Sequence, residues 1–440
     1  MNDIRIGVIG AGYVGLVTSV GFAKLGYNII CLENDIDKIQ KINNAISPIY
    51  EDQLDELLEL TVKKNKNLFA TNNRELFFKN SDIIFVCLPT PSHNDGSINL
   101  DYILTELQEF GILLSKSNQF KFFVIKSTVV PGSTNGIIKS VIEKYSNKSE
   151  GSSFGLAVNP EFLMEGQAIK NFFSPDRIII GHNDSKTKDM LSSIYRSFKC
   201  QKIFVNLDEA EMIKYVSNSF LATKISYINE IANLSENFNI NMDNIVKGIG
   251  SDHRISNQFL RSGLGFGGSC FPKDVRALYK LSQNYNSNLT LLKSTLDINN
   301  NQPLRVIKIL KNFFNLRNKN ITLLGLSFKP NTDDIREAPS LKICDELKKY
   351  DCNIFIYDPI HVNTIIPDYE HLIICKSMEV ALNNSDAAII VTEWDEFINL
   401  KPLNFKNMKN KLVIDGRRIL KPSLFLNSNV TLITIGNSQL

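Results

Sequence analysis

Short runs of consecutive apolar residues alternate with longer stretches of helical periodicity through the first 205 residues. Residues 4–9, 28–32, 82–88, 121–126, 155–158 and 177–181 have the hydrophobic character of strands covered on both faces of a parallel sheet. The segments between them are helix-like, and that order predicts a doubly wound sheet over 1–205. Near Asn206 the pattern changes. To about Leu296 it is helical with no convincing strand, and 207–238 is long enough for one extended helix, predicting a central helical segment over 206–300. Strand-like runs return at 320–326, 352–357, 386–391, 411–414 and 430–433, so a second doubly wound domain is expected over 301–440.

Composition removes several alternatives. Of 440 residues, 43% are hydrophobic and 22% charged, which excludes wholesale disorder. With 49 basic and 46 acidic residues and no polybasic run, nothing calls for nucleic acid. No apolar stretch reaches the roughly 18 residues of a membrane span. The chain enters a strand pattern almost at once, so no signal peptide is expected. Seven scattered cysteines without metal-ligand spacing suit reduced thiols in the cytoplasm, and five scattered histidines argue against a metal site. The abundant Asn, Lys and Ile read as compositional bias.

Chemistry enters at the glycines. Gly10-Ala-Gly12-Tyr13-Val14-Gly15 follows a strand and opens a helix. The first glycine permits the tight turn, the second lets backbone approach a pyrophosphate, and the third lets helix and strand pack closely. Glu33, eighteen residues beyond Gly15 at the end of the next strand, suits the ribose hydroxyls of NAD and would repel the 2′-phosphate of NADP. The first domain therefore reads as Rossmann-like. The C-terminal one has only Gly325 after its first strand and lacks the fingerprint.

The second chemical signal is Gly265-Phe-Gly-Gly-Ser-Cys270-Phe-Pro272-Lys273-Asp274. Pro272 favours a first helical turn, which puts Cys270 just before a helix N-terminus, where the dipole and Lys273 favour thiolate. Asp274 is a candidate proton acceptor. A thiol nucleophile beside a nicotinamide site has a specific use: it captures an aldehyde as a thiohemiacetal, hydride loss gives a thioester, and water releases the acid. The other six cysteines read as small buried residues.

Other polar groups are less decisive on local sequence. Lys214 and Asn218 lie four apart on one helix face and suit a developing alkoxide, although spacing alone fits a solvated face better. Glu161 and Glu165 in Asn159-Pro-Glu-Phe-Leu-Met-Glu-Gly follow a strand, as does Thr128 in Lys126-Ser-Thr-Val-Val-Pro-Gly. Lys329, Arg336 and Arg417 follow strands of the last domain, where they suit a diphosphate or ordinary surface charge equally well.

Together these segments, with Pro89-Thr90-Pro91, Pro175-Asp-Arg177 and Asp252-His-Arg254, closely resemble the UDP-glucose 6-dehydrogenase family across nearly the whole chain, in order. The resemblance implies two NAD-linked oxidations of a sugar 6-hydroxyl to a carboxylate. It implies Cys270 as nucleophile, Lys214 with Asn218 at the oxyanion, Glu161 and Asp274 in proton transfer and hydrolysis, and Thr128 near the reacting carbon. The cofactor set it implies is Gly10, Gly12, Tyr13, Val14, Gly15, Glu33, Lys38, Thr90, Pro91, Thr128, Glu165, Lys273 and Arg336. For the nucleotide sugar it implies Glu161, Phe162, Leu163, Met164, Glu165, Lys214, Asn218, Arg254, Arg261, Phe266, Gly267, Lys329 and Arg417. In this family the residue matching Arg254 comes from a neighbouring subunit, which implies at least a homodimer. Departures are few: Glu33 for a frequent Asp, Met164 for a frequent Arg, and Ser256 for a common Gly. The alternatives are the same chemistry on GDP-mannose or a UDP-N-acetylhexosamine, a simple hydroxy-acid dehydrogenase, for which the thiol has no use, and a non-catalytic NAD sensor.

Overall fold

The computed structural model describes residues 4–238, 240–362 and 366–437. The chain divides into two compact units, Met1–Ser217 and Asn218–Leu440, and the boundary falls inside one long helix, Leu207–Ser235.

The first unit is built on an eight-stranded sheet: β1 (Arg5–Ile9), β2 (Asn28–Leu32), β3 (Leu68–Thr71), β4 (Ile83–Val86), β5 (Lys121–Ile125), β6 (Phe154–Val158), β7 (Arg177–His182) and β8 (Gln201–Val205). Their spatial order is β3-β2-β1-β4-β5-β6-β7-β8, so the chain reverses direction across the sheet between β1 and β4. That reversal opens the crevice in which doubly wound sheets bind ligands, at the carboxyl ends of the strands. One apolar core lies on each face. Val8, Val17, Val20, Phe22 and Phe85 contribute to one, and Ile9, Phe77, Ile84, Phe110 and Phe123 to the other. Burial on both faces explains why these strands read as continuous apolar runs.

Two strands escaped the hydrophobic pattern: β3, a four-residue edge strand with Phe69 exposed, and β8, none of whose residues is fully buried. The sheet is also not wholly parallel, because β6 and β7 pair antiparallel. The connection 159–176 stays at the carboxyl end of β6 instead of crossing a face, so β7 runs back from there. This keeps Glu161 and Glu165 at the ligand end of the sheet.

The second unit contains the rest of the long helix, the helices Phe271–Asn284 and Thr290–Asn301, and a six-stranded parallel sheet of β9 (Asn320–Leu324), β10 (Asn353–Tyr357), β11 (Ile373–Ile374), β12 (Ala387–Ile390), β13 (Leu412–Asp415) and β14 (Thr431–Thr434). Its order, β11-β10-β9-β12-β13-β14, repeats the doubly wound plan. The two-residue β11 had no sequence signal. Gly325 (φ +103°) makes the turn after β9, and a Cβ there would meet Thr392 at 2.4 Å. At the end of β10, fully buried Asp358 accepts hydrogen bonds from the Leu326 and Ser327 amides (2.8 and 3.1 Å), the Ile360 amide (3.1 Å) and the Trp394 indole (3.0 Å). Among the described residues no helix is long and apolar enough to cross a membrane.

Candidate active site

In the first unit the chain leaves β1 through Gly10 (φ +93°), whose amide donates to Leu32 O at 2.8 Å. A Cβ at Gly15 would lie 1.8 Å from Gly10 O, so only glycine lets the helix Tyr13–Lys24 start this close to the turn. A Cβ at Gly12 would meet nothing within 4 Å. The space in front of Gly12 is open, and the helix it caps carries no side-chain cap. An open space before an uncapped helix N-terminus fits a pyrophosphate. Half-buried Glu33 reaches back to accept the Ala11 amide at 2.9 Å and also takes the Asn34 and Asp35 amides. Lys38 lies half-buried in the next helix, Ile36–Asn43, Val14 is half-buried, and Tyr13 Oη donates to Tyr50 O at 3.0 Å.

Two further loops end on the same edge of the sheet. Thr90 is buried and its hydroxyl donates to Thr128 O at 2.9 Å, with Pro91 exposed beside it. Glu161 is buried and pairs with Lys214 Nζ at 2.8 Å, while its other oxygen accepts the Leu163 amide at 2.6 Å. Burial would push this carboxyl up, but the Lys214 charge and hydrogen bond, the Leu163 amide and the Lys126 charge together hold it below the ordinary carboxylate range. The Arg177 guanidinium lies 4.2 Å from the Phe162 ring. Met164 is exposed and Glu165 half-buried.

Three residues here had not stood out in the sequence. Lys126 is buried, donates to Asn159 Oδ1 at 3.0 Å, and burial lowers its pKa. Glu51 accepts the Gly166 and Ala168 amides, both at 2.7 Å, and so anchors the loop that carries Glu165. Glu211 accepts the amides of Gly132 (2.7 Å) and Thr134 (2.9 Å). Each is a polar residue in a buried, hydrogen-bonded place, and no local pattern separates such residues from surface charge.

In the second unit Cys270 is the N-cap of the helix Phe271–Asn284, with Pro272 in its first turn, as the sequence predicted. It is exposed, whereas the other six free cysteines are buried or half-buried. Asp274, 1% exposed, accepts Asn218 Nδ2 at 2.7 Å and pairs with Lys273 Nζ at 2.6 Å. Lys214 and Asn218 are thus both buried, which overturns the solvated helix face that spacing alone favoured.

The glycine-rich loop before Cys270 is braced from the helix Thr290–Asn301. Asn299 Oδ1 accepts the Phe266 amide at 2.8 Å and its Nδ2 donates to Phe266 O at 2.9 Å. Gln302 donates to Gly263 O, and Asn229 accepts the Gly263 amide. The apparent asparagine bias therefore conceals residues with fixed duties. Gly267 admits no Cβ, since Glu337 O would lie 2.5 Å away, and Gly268 (φ +82°) donates its amide to Arg336 O.

The expected nucleotide-sugar cations are placed unequally. Arg417 is half-buried and donates to Gly265 O (3.2 Å) and Phe328 O (3.4 Å), stitching those loops together. Lys329 Nζ lies 5.4 Å from the Phe328 ring. Arg336 and Arg254 are exposed, each bound to an aspartate two residues before it, Asp334 and Asp252. Arg261 donates to Arg418 O at 2.9 Å. Ser256 has φ +61°, a left-handed backbone that explains why glycine suits the position.

A doubly wound unit with an open glycine turn and an acid at the end of its second strand has the build of a dinucleotide-dependent dehydrogenase, and the chain also carries an exposed thiol at a helix N-terminus. The chain belongs to the UDP-glucose/GDP-mannose dehydrogenase family: residues 4–199 match its NAD binding domain, 208–301 its central domain and 322–422 its UDP binding domain. It is an NAD-dependent oxidoreductase. It is similar to the UDP-glucose 6-dehydrogenase YwqF of Bacillus subtilis (strain 168), 39% identical over 441 residues and 98% of each chain. Among solved structures, a UDP-glucose dehydrogenase from the hyperthermophilic archaeon Pyrobaculum islandicum has a TM-score of 0.89 at 31% identity, covering 95% of each chain. A UDP-D-ManNAc dehydrogenase from Pyrococcus horikoshii has a TM-score of 0.87 at 27% identity, covering 99% of this chain and 100% of that one.

Proposed function

We propose that this enzyme oxidises C6 of UDP-glucose to the carboxylate of UDP-glucuronate, consuming two NAD and one water and releasing two NADH. The observation that carries the reading is Cys270, exposed at a helix N-terminus while the other six cysteines are withdrawn. NAD, when bound, accepts one hydride in each oxidation. Gly10, Gly12, Tyr13, Val14, Gly15, Glu33, Lys38, Thr90, Pro91, Thr128, Glu165, Lys273 and Arg336 hold it.

The chain's own residues do the rest. Lys214 steadies negative charge on the C6 oxygen, and Asn218 orients Asp274. Cys270 adds its sulfur to the C6 aldehyde, giving a thiohemiacetal, and loss of the second hydride leaves a thioester. Water adds to that thioester, the C–S bond breaks, and the thiolate leaves, with Glu161 and Asp274 taking up protons. Phe162, Leu163, Met164, Phe266, Gly267, Arg254, Arg261, Lys329 and Arg417 hold the nucleotide sugar. The working division is 1–205 for the cofactor, 206–300 for a central helical dimerisation domain and 301–440 for the UDP-sugar. Self-association is supported by Phe220, Tyr227 and Leu234, which stand exposed on the long helix. The setting is cytoplasmic.

Similarity to the Pyrococcus horikoshii protein favours a UDP-N-acetylhexosamine as the second reading; GDP-mannose is the other candidate. The test is the stoichiometry of NADH released by the purified chain across a panel of nucleotide sugars. Two NADH per UDP-glucose is expected. Turnover of another sugar alone overturns the substrate, and one NADH per sugar overturns the thiol chemistry.

A further inference from the structure

Glu211 lies on the long helix, three residues before Lys214, and is 2% exposed. Its two carboxylate oxygens take one amide each, Gly132 N at 2.7 Å and Thr134 N at 2.9 Å. These amides close the loop that begins after β5 and carries Thr128. The near end of the loop is held separately: the Ser127 hydroxyl donates to Leu88 O at 2.7 Å, and Thr128 O accepts the Thr90 hydroxyl. The far end turns at Gly132 (φ +88°) and is braced by Ser133, whose amide and hydroxyl both donate to Val130 O.

Burying this carboxylate is costly. Burial outweighs the opposing pull of the Thr134 and Gly132 hydrogen bonds and pushes its carboxyl up to about 7. A residue that only filled space between helix and loop would be better apolar. Here each amide meets its own carboxylate oxygen; a carboxamide in the same place would turn an NH2 donor towards one of the two N–H groups.

We propose that Glu211 is a positioning residue for the reaction, its carboxylate fixing the Thr128 loop against the helix that presents Lys214. The proposal rests on the reading of Thr128 and Lys214 as members of the catalytic set. Small misplacements of reacting groups are expensive in rate, about a hundredfold for 1 Å.

The test uses Glu211→Gln, Thr128→Ala and the double variant in the full chain. Glu211→Gln is expected to lower kcat by about ten- to a hundredfold while leaving the KM for the nucleotide sugar within about twofold. Because it acts through Thr128, the double variant is expected to be no slower than Thr128→Ala alone by more than about twofold. Amide exchange at Gly132 and Thr134, read without turnover, is expected to accelerate at least about tenfold in Glu211→Gln. Glu211→Asp, which keeps both acceptors on a shorter stem, is expected to fall between wild type and Gln, and it serves if Gln does not fold. Unchanged exchange, an unchanged kcat, or losses that multiply in the double variant each overturn the proposal. If the wild type releases no NADH from UDP-glucose, the substrate reading fails, and the exchange comparison still decides whether the clamp exists.

Discussion

Replacing Lys214 by Met isolates what the buried pair with Glu161 contributes. The two side chains are 5% and 8% exposed and 2.8 Å apart, so removing the cation leaves a carboxylate inside the protein with no ion-pair partner at that distance. Breaking such a pair costs about 3–5 kcal/mol. The structure points to the lower end, because the Leu163 amide and the Lys126 charge still favour the ionised form. The sign with pH follows from the same geometry. In the wild type Glu161 is held below the ordinary range, so its stabilisation is present above the unfolded carboxyl value of about 4.3 and is lost as pH falls through the lower folded value. In the variant burial dominates and raises the carboxyl, so the penalty is full at pH 8 and is relieved by protonation towards pH 5. Urea unfolding at the two pH values should show a deficit near 3 kcal/mol at pH 8 that shrinks on acidification. Lys214→Met with Glu161→Gln should recover most of the loss at pH 8, because no unpaired charge remains. A deficit equal at both pH values, with no recovery in the double variant, would refute the reasoning.

Two further outcomes are expected. Cys270→Ser should leave NAD affinity within about twofold, as followed by fluorescence quenching, while lowering acid formation at least about a thousandfold, because an alkoxide is far harder to generate than a thiolate and an ester is a poorer acyl donor. Asn299→Ala strands the Phe266 amide and carbonyl in a buried place, at about 1–3 kcal/mol each; the expected readouts are a lower unfolding midpoint and a raised KM for the nucleotide sugar with kcat less affected. An unchanged KM would mean that the loop does not bear on binding.

What was legible in the sequence follows from physical range. Strands such as β4 and β12 are buried on both faces and show as unbroken apolar runs, and the thiol announced itself because Gly, Cys, Pro and Lys act over a single turn. The edge strands β3 and β8 are only partly covered and carry no such run. Lys214 and Asn218 have the spacing of a solvated face, and only long-range partners, Glu161 fifty-three residues away and Asp274 fifty-six residues away, put them inside. The same holds for Asn299, thirty-three residues from the Phe266 it braces, and for Glu211 and Glu51, whose partners are backbone amides that carry no sequence signature.

Asp358 stands at the end of the second strand of its sheet, the topological counterpart of Glu33. Glu33 is half-buried and takes three amides, whereas Asp358 is fully buried and takes three amides and an indole. An adenosine entering the second crevice would meet a carboxylate with no exposed surface, whose Oδ2 already holds three donors and whose Oδ1 holds the Ile360 amide. The duplicated architecture thus comes with the counterpart of Glu33 closed from within, and Trp394→Phe, which withdraws one of the four donors, is the smallest change that starts to open it.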